Sequence, residues 1–99
     1  MSAAAKALSS ERRQQVLKWL VDPIANFPPQ HTGNLVKDGV CVGFIADKLG
    51  IAQPSATSQM KILQEAGLVT PTRIAQWTFY KRDEAGIKKA LSELSALLN

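Results

Sequence analysis

A tight turn at Gly50, between two helix-like segments, constrains the fold of this chain more than any other feature of its sequence. In residues 43–49, Phe44, Ile45 and Leu49 can share one helical face. A glycine directly after such a segment supplies the left-handed backbone with which helices commonly end. We therefore predict a helix over 43–49 that ends at Gly50.

A second helix is predicted immediately after this turn. It begins at Gln53 or Pro54, because the missing N–H of proline is harmless in a first helical turn, and it ends at Gly67. Its apolar side chains repeat at i, i+4 and i+7, in the order Ala56, Met60 and Leu63. Two helices joined by so short a turn are typical of a helix-turn-helix.

Short β-prone runs lie on both sides of the helix pair. Residues 40–42 form a strand-like run before it. Residues 68–72 and 77–81 follow it, and the short connection at 73–76 predicts a β-hairpin. The order of elements predicts a mainly helical fold with a small hairpin, the winged helix-turn-helix, whose third helix enters the major groove of DNA.

A helix is predicted near each end of the chain, over about 10–21 and 83–98. Ser9 or Ser10 can cap the first helix, and the second carries a narrow leucine-rich stripe. Such a stripe has few partners in so small a domain, so we expect both helices to form a two-fold dimer interface. The expected interface residues are Val16, Leu20, Ile87, Leu91, Leu94 and Leu98. Packing within one subunit is the alternative.

Two segments show no periodic pattern. The alanine-rich residues 1–8 are interpreted as a frayed lead-in, and residues 22–39 as a long inserted loop. We expect partial order in this loop, with Phe27 buried and His31 at the edge of a cavity. Phe27, His31 and Cys41 are candidates for an effector site, although a lone cysteine flanked by valines is more often an inert buried residue.

The residues from about 40 to 82 resemble a known family. The stretches VCVGFIADKLGIAQPSATSQMKILQEAGLV and QWTFYKR are similar to the ArsR-type bacterial transcriptional repressors. The resemblance implies a homodimer built from the first and last helices. It further implies that this dimer binds operator DNA and releases it when an effector arrives.

The helix that begins at 53 or 54 carries the residues expected to contact DNA. If its apolar positions face inward, a rotation of about 100° per residue turns short polar side chains outward. Glutamine can pair with adenine edges, serine and threonine reach bases or phosphates, and lysine suits a phosphate. The resemblance implies contacts at Gln53, Ser55, Thr57, Ser58 and Gln59. The predicted set is completed by Lys61, Arg73 and Gln76. A merely solvated polar face is the alternative.

Few reactive side chains are available for other functions. One cysteine and one histidine exclude an internal disulfide and a multi-cysteine zinc site, and we expect no cofactor. Arsenic-sensing relatives carry an E-L-C-V-C metal motif, and Gly43 stands in the place of its second cysteine. A nucleophilic pair of Cys41 and His31 lacks a recognisable acidic partner, which argues against an enzyme.

The formal net charge of +4 suits a polyanionic partner without requiring one. No apolar run is long enough to cross a membrane and the start has no signal-peptide pattern, so we predict a cytoplasmic protein. We predict one domain over 1–99 that acts as a homodimer on a pseudo-palindromic operator and represses transcription. The alternative is a winged-helix module that dimerises or docks onto another protein without reading DNA.

Overall fold

Residues 2–99 are described by a computed structural model, and they form six helices and a three-stranded sheet. The helices are α1 (Ala3–Leu8), α2 (Glu11–Trp19), α3 (Pro23–Asn26), α4 (Val42–Leu49), α5 (Gln53–Glu65) and α6 (Glu84–Ala96). The strands are β1 (Val40–Cys41), β2 (Val69–Ile74) and β3 (Trp77–Arg82). They form an antiparallel sheet in the order β1-β3-β2. The predicted winged helix-turn-helix architecture is confirmed.

The turn between α4 and α5 has the predicted form. Gly50 has a φ of +69°, and its N–H donates to the carbonyl of Asp47 at 3.1 Å. The next N–H, that of Ile51, donates to the carbonyl of Ala46, which completes the helix end. The buried side of α5 is the predicted one, formed by Ala56, Met60 and Leu63.

The hairpin has a tighter turn than the sequence predicted. β2 and β3 stay paired as far as Ile74 and Trp77, so that Ala75 and Gln76 form a two-residue turn. Ala75 has a φ of +53°, the left-handed conformation that tight hairpin turns require. The turn lacks the glycine or asparagine that usually signals it, and the prediction therefore ended the first strand too early.

The interpretation of residues 1–8 as a frayed lead-in is wrong for residues 2–8, and Met1 lies outside the described residues. The side chain of Ser2 caps α1 by accepting a hydrogen bond from the N–H of Ala5. Ala4 and Ala7 are buried, and the helix packs against α2, α5 and α6. Alanine side chains are small enough for helices to approach closely, and this mode of packing leaves no large-residue periodicity in the sequence.

The hydrophobic core lies between the helices and the inner face of the sheet. Its largest fully buried side chains include Ile45, Met60, Leu63, Leu68 and Phe79. α2 contributes to the same core rather than to an outer surface, because Val16 and Leu20 are buried within the single chain. The expectation that these two residues form a dimer interface is therefore wrong. A helical stripe does not distinguish between facing the chain's own core and facing a partner.

Residues 22–39 are ordered, although they contain only one short helix, α3. Asp22 caps α3 by accepting from the N–H of Ala25, and Phe27 is buried directly after the helix. The rings of Phe27 and Trp19 meet edge to face, with 6.3 Å between their centroids. The loop is thus fixed against α2, with Phe27 buried as predicted.

Candidate nucleic-acid interface

The outward face of α5 carries a row of uncharged polar side chains. Gln53, Ser55 and Ser58 are exposed, and Thr57 and Gln59 are half-buried at its flanks. Lys61, also exposed, is the basic residue of this helix. No acidic side chain occurs between residues 53 and 64. Such a face offers neutral hydrogen-bond donors and acceptors with a single positive charge, which suits base edges flanked by phosphate.

Gln59 is held in place by a buried arginine that the sequence analysis did not select. Nη1 of Arg13 donates to Oε1 of Gln59 at 2.8 Å. Nε and Nη2 of Arg13 donate to the carbonyl oxygens of Ala7 and Lys6, at 2.8 and 2.9 Å. The guanidinium therefore joins the end of α1 to the outward face of α5. One lone pair of the Gln59 oxygen is thereby occupied, while its amide NH2 group has no hydrogen-bond partner within residues 2–99 and can donate to a ligand.

Sequence periodicity contained a signal for Arg13. Arg13 lies on the buried stripe of α2, three and four residues before Val16 and Leu17. A charged residue at a buried position of a helix requires partners for its hydrogen-bond donors. The carbonyl groups at the end of α1 are such partners.

Two other α5 side chains have contacts within the protein. The hydroxyl of Ser58 donates to the carbonyl of Pro54 at 3.1 Å, which leaves its lone pairs to accept from a ligand. Gly43 faces both Gln53 and Cys41. A Cβ atom added to Gly43 would lie 3.6 Å from Oε1 of Gln53 and 3.8 Å from Sγ of Cys41. The first residue of α5 therefore lies beside the start of α4.

The hairpin places further donors beside α5. Arg73 is exposed and its Nε donates to the carbonyl of Ala75 at 3.2 Å, which holds the guanidinium near the tip. Gln76 is exposed at the tip itself. Trp77 is 42% exposed, whereas Phe79, on the same strand, is buried.

The basic residues at the exit of the hairpin are engaged within the chain. Arg82 forms two hydrogen bonds to the carboxylate of Glu84, the shorter at 2.7 Å, and its Nη1 donates to the carbonyl of Leu17. The hydrogen bond with Glu84 raises the pKa of Arg82, and the same bond lowers the pKa of Glu84. Nζ of Lys81 donates to the carbonyl of Lys37 at 3.2 Å. These two cations stabilise the fold and add little to the polar face.

The candidate effector residues do not lie together. His31 and Cys41 both line a cavity of about 150 Å³ between the inserted loop and the hairpin. Phe27 packs instead on Trp19, and Nζ of Lys48 lies 5.7 Å from the centroid of the Phe27 ring. Cys41 is half-buried, more accessible than the fully buried thiol that its valine neighbours favour.

Within residues 2–99, no three histidine, cysteine, aspartate or glutamate side chains lie close enough to hold a metal ion together. No helix in the same range combines the length and the apolar character needed to cross a bilayer.

Known proteins resemble this chain in fold and in sequence. No model of a protein family matches it. A protein described as a possible transcriptional regulator for arsenical resistance has a TM-score of 0.71, with 15% identity over all of this chain and 88% of that one. The homodimeric winged helix-turn-helix DNA-binding domain of Mb0332 from Mycobacterium bovis, a possible ArsR-family regulator, has a TM-score of 0.63. That match has 23% identity and covers 95% of this chain and 75% of the other.

The decisive similarity is in sequence. The HTH-type transcriptional regulator YbzH of Bacillus subtilis (strain 168), itself uncharacterized, is 45% identical over 84 residues, which are 85% of this chain and 84% of YbzH. This chain belongs to the HTH-type transcriptional regulators. In this regulator α5 has the position of the recognition helix of the fold, and the β2–β3 hairpin has the position of the wing.

Proposed function

We propose that this regulator binds a pseudo-palindromic operator as a homodimer and represses transcription by occupying promoter DNA. The outward face of α5 is the observation that carries the proposal. It is polar and free of carboxylates over three turns, and the wing carries an exposed arginine near its tip. The proposed mode of action is binding rather than catalysis, and the proposed place of action is the cytoplasm, where promoter DNA is accessible.

Each exposed side chain of the interface has a role that follows from its surroundings. Gln53 retains a free amide and can pair with an adenine edge through both of its polar atoms, whereas the side-chain oxygen of Gln59 already accepts one hydrogen bond from Arg13. Lys61 and Arg73 suit phosphates. We assign further contacts with bases or phosphates of the operator to Ser55, Thr57, Ser58 and Gln76.

The proposed dimer uses the outer side of α6. Leu91 and Leu98 are strongly exposed, while Ile87 and Leu94 are partly buried against the core. Packing within one subunit therefore does not account for the outer leucines. A contiguous apolar surface of this kind is typical of an interface, and two-fold pairing is the most common arrangement in soluble oligomers. The related domain of Mb0332 is homodimeric.

One observation favours the alternative of a docking module that does not read DNA. The basic residues near α5 are few, because Arg82 is paired with Glu84 and Lys48 lies over the ring of Trp19, at 5.1 Å from its centroid. A nearly neutral surface gains less from phosphate neutralisation than a strongly basic one.

Selection of genomic fragments, followed by gel-shift titrations at two salt concentrations, separates these proposals. The regulator should enrich a limited set of fragments that share an inverted repeat, and its affinity should fall as salt rises. Uniform recovery of all fragments, or no binding at low salt, would support the docking module. An inverted repeat within a promoter would support repression by occupancy.

A further inference from the structure

A cavity lies between the inserted loop, the start of α4 and the wing. Its volume is about 150 Å³, and the rings of Phe44, Trp77 and Phe79 line it. Cys41 contributes a further wall, and His31 and Thr32 lie on the loop side. The cavity therefore has aromatic walls and a small polar rim.

The wall formed by the loop is fixed by specific contacts. Oε1 of Gln30 accepts from the N–H of Cys41 at 2.7 Å, and Nε2 of Gln30 donates to the carbonyl of Gly39 at 3.1 Å. This side chain thereby pairs with the free edge of β1 as a neighbouring strand would. Gly33 lies so close to the ring of Phe79 that a Cβ there would stand 2.8 Å from it. The cavity is consequently formed before any ligand arrives.

The chemistry of the lining selects one class of ligand. No carboxylate, ammonium or guanidinium group is among the lining side chains, so the lining offers a charged ligand no counter-ion of these kinds. A dry apolar cavity of about 150 Å³ in an engineered protein binds benzene, which sets the size at one aromatic ring. The exposed imidazole of His31 and the hydroxyl of Thr32 can each bond to one polar substituent. We propose that this cavity binds a neutral monocyclic aromatic molecule of the phenol type.

The position of the cavity connects it to the recognition surface. Trp77 is the first residue of β3 and directly follows the tip of the wing. Cys41 lies beside Gly43, where the Oε1 atom of Gln53 also lies. A ring in the cavity therefore contacts β3 of the wing close to its tip and lies near the first side chain of α5. This part of the inference rests on the proposed DNA-binding function: the bound molecule changes operator affinity.

Nuclear magnetic resonance with 4-fluorophenol as the probe tests the binding site directly. The indole N–H signals of Trp77 and Trp19 are observed during the titration and assigned with Trp19→Phe. The Trp77 signal should move saturably while the Trp19 signal stays within experimental error, because Trp19 lies against Phe27 rather than in the cavity. Equal movement of both signals, or no saturable movement, would overturn the proposal.

Variants and a charged analogue sharpen the test. Cys41→Leu places added apolar bulk in the cavity and should weaken binding of 4-fluorophenol by about tenfold or more, because no room remains for the ring. Val36→Leu adds apolar bulk at an exposed position of the inserted loop, outside the cavity, and should leave binding unchanged. 4-Fluorobenzoate should bind to the unaltered protein at least as weakly as 4-fluorophenol binds to Cys41→Leu, because no ammonium or guanidinium group of the lining can neutralise its carboxylate. Equal affinity of the probe for both variants would contradict the assignment.

Operator titrations with and without saturating 4-fluorophenol test the connection to DNA. We expect a change in operator affinity of about threefold or more, within the usual range of coupling between two sites. If operator affinity is unchanged when the cavity is filled, the proposed coupling is wrong, whereas the proposed ligand site is not affected by this result. If the protein binds 4-fluorophenol but no DNA, the proposed DNA-binding function is contradicted, while the assignment of the cavity as a ligand site is supported.

Discussion

The two terminal helices contrast sharply in how their side chains are buried. Four of the six residues of α1 are alanine, yet Ala4 and Ala7 are 3% and 0% exposed. α6 is rich in leucine, yet Leu91 is 58% exposed and Leu98, just beyond its end, is 90% exposed. Small side chains let α1 approach α5 and α6 closely, whereas the leucines of α6 extend past the surface of the single chain. Burial is thus decided by the partner surface and not by hydrophobicity alone.

Replacing Leu91 and Leu98 together by glutamate should have the largest effect. If the outer side of α6 is the dimer interface, two unpaired charges per subunit would have to be buried there, and the dimer should dissociate. Analytical ultracentrifugation measures the result. Ser92→Glu adds a charge to an exposed position of the same helix and serves as the control. A double variant that remains a dimer would place the interface elsewhere.

Arg13→Ala tests how α1 is connected to α5. It removes three hydrogen bonds from one guanidinium and opens a cavity. We expect the free energy of unfolding to fall by about 3 kcal/mol. The neighbouring Arg12 is exposed, and Arg12→Ala should change stability by less than about 0.5 kcal/mol. Denaturant titrations compare the two variants, and equal losses would mean that the buried contacts of Arg13 contribute nothing.

Ala7→Leu tests the close approach of α1. The larger side chain has no room at a fully buried position, so the free energy of unfolding should fall by about 1–3 kcal/mol. Ala3→Leu makes the same change at an exposed position of the helix and should be nearly neutral. If both variants melt like the unaltered protein, α1 is not packed as described.

Glu84→Gln tests how the first turn of α6 is held and should have the smallest effect. The hydrogen bond from Arg82 lowers the pKa of Glu84 below its ordinary value of 4.5. The pair therefore stabilises the fold above about pH 4.5, and this stabilisation is lost as pH falls through the lowered pKa. Because Glu84 is largely exposed, the variant should lose only about 0.5 kcal/mol at pH 7. Its stability should converge with that of the unaltered protein in acid, and a constant difference down to pH 2 would contradict the ion pair.

The sequence predicted those parts of the fold that follow from local rules. Gly50 ends α4 because a left-handed residue is needed there, and the i, i+4, i+7 pattern of α5 faces the core as expected. The same pattern failed for α2, where Val16 and Leu20 face the core of their own chain. Periodicity gives the side of a helix that is buried, but not what covers it.

Contacts between distant residues were not accessible from sequence patterns. Arg13 and Gln59 are 46 residues apart, and their hydrogen bond requires α1, α2 and α5 to be in place. The two hydrogen bonds of Gln30 to β1 and Gly39 depend equally on the docked loop. The outward polar face of α5 could be predicted, whereas the positioning of Gln59 and the cavity below the wing could not.

The central claim is that the outward face of α5 reads operator DNA. Its most direct test is the affinity of the Gln53→Ala, Thr57→Ala double variant for the selected operator and for unrelated DNA, measured side by side. Since each lost base contact costs about 1–3 kcal/mol, operator affinity should fall by about tenfold or more, while affinity for unrelated DNA stays the same. Equal operator affinity in a folded double variant would contradict the claim.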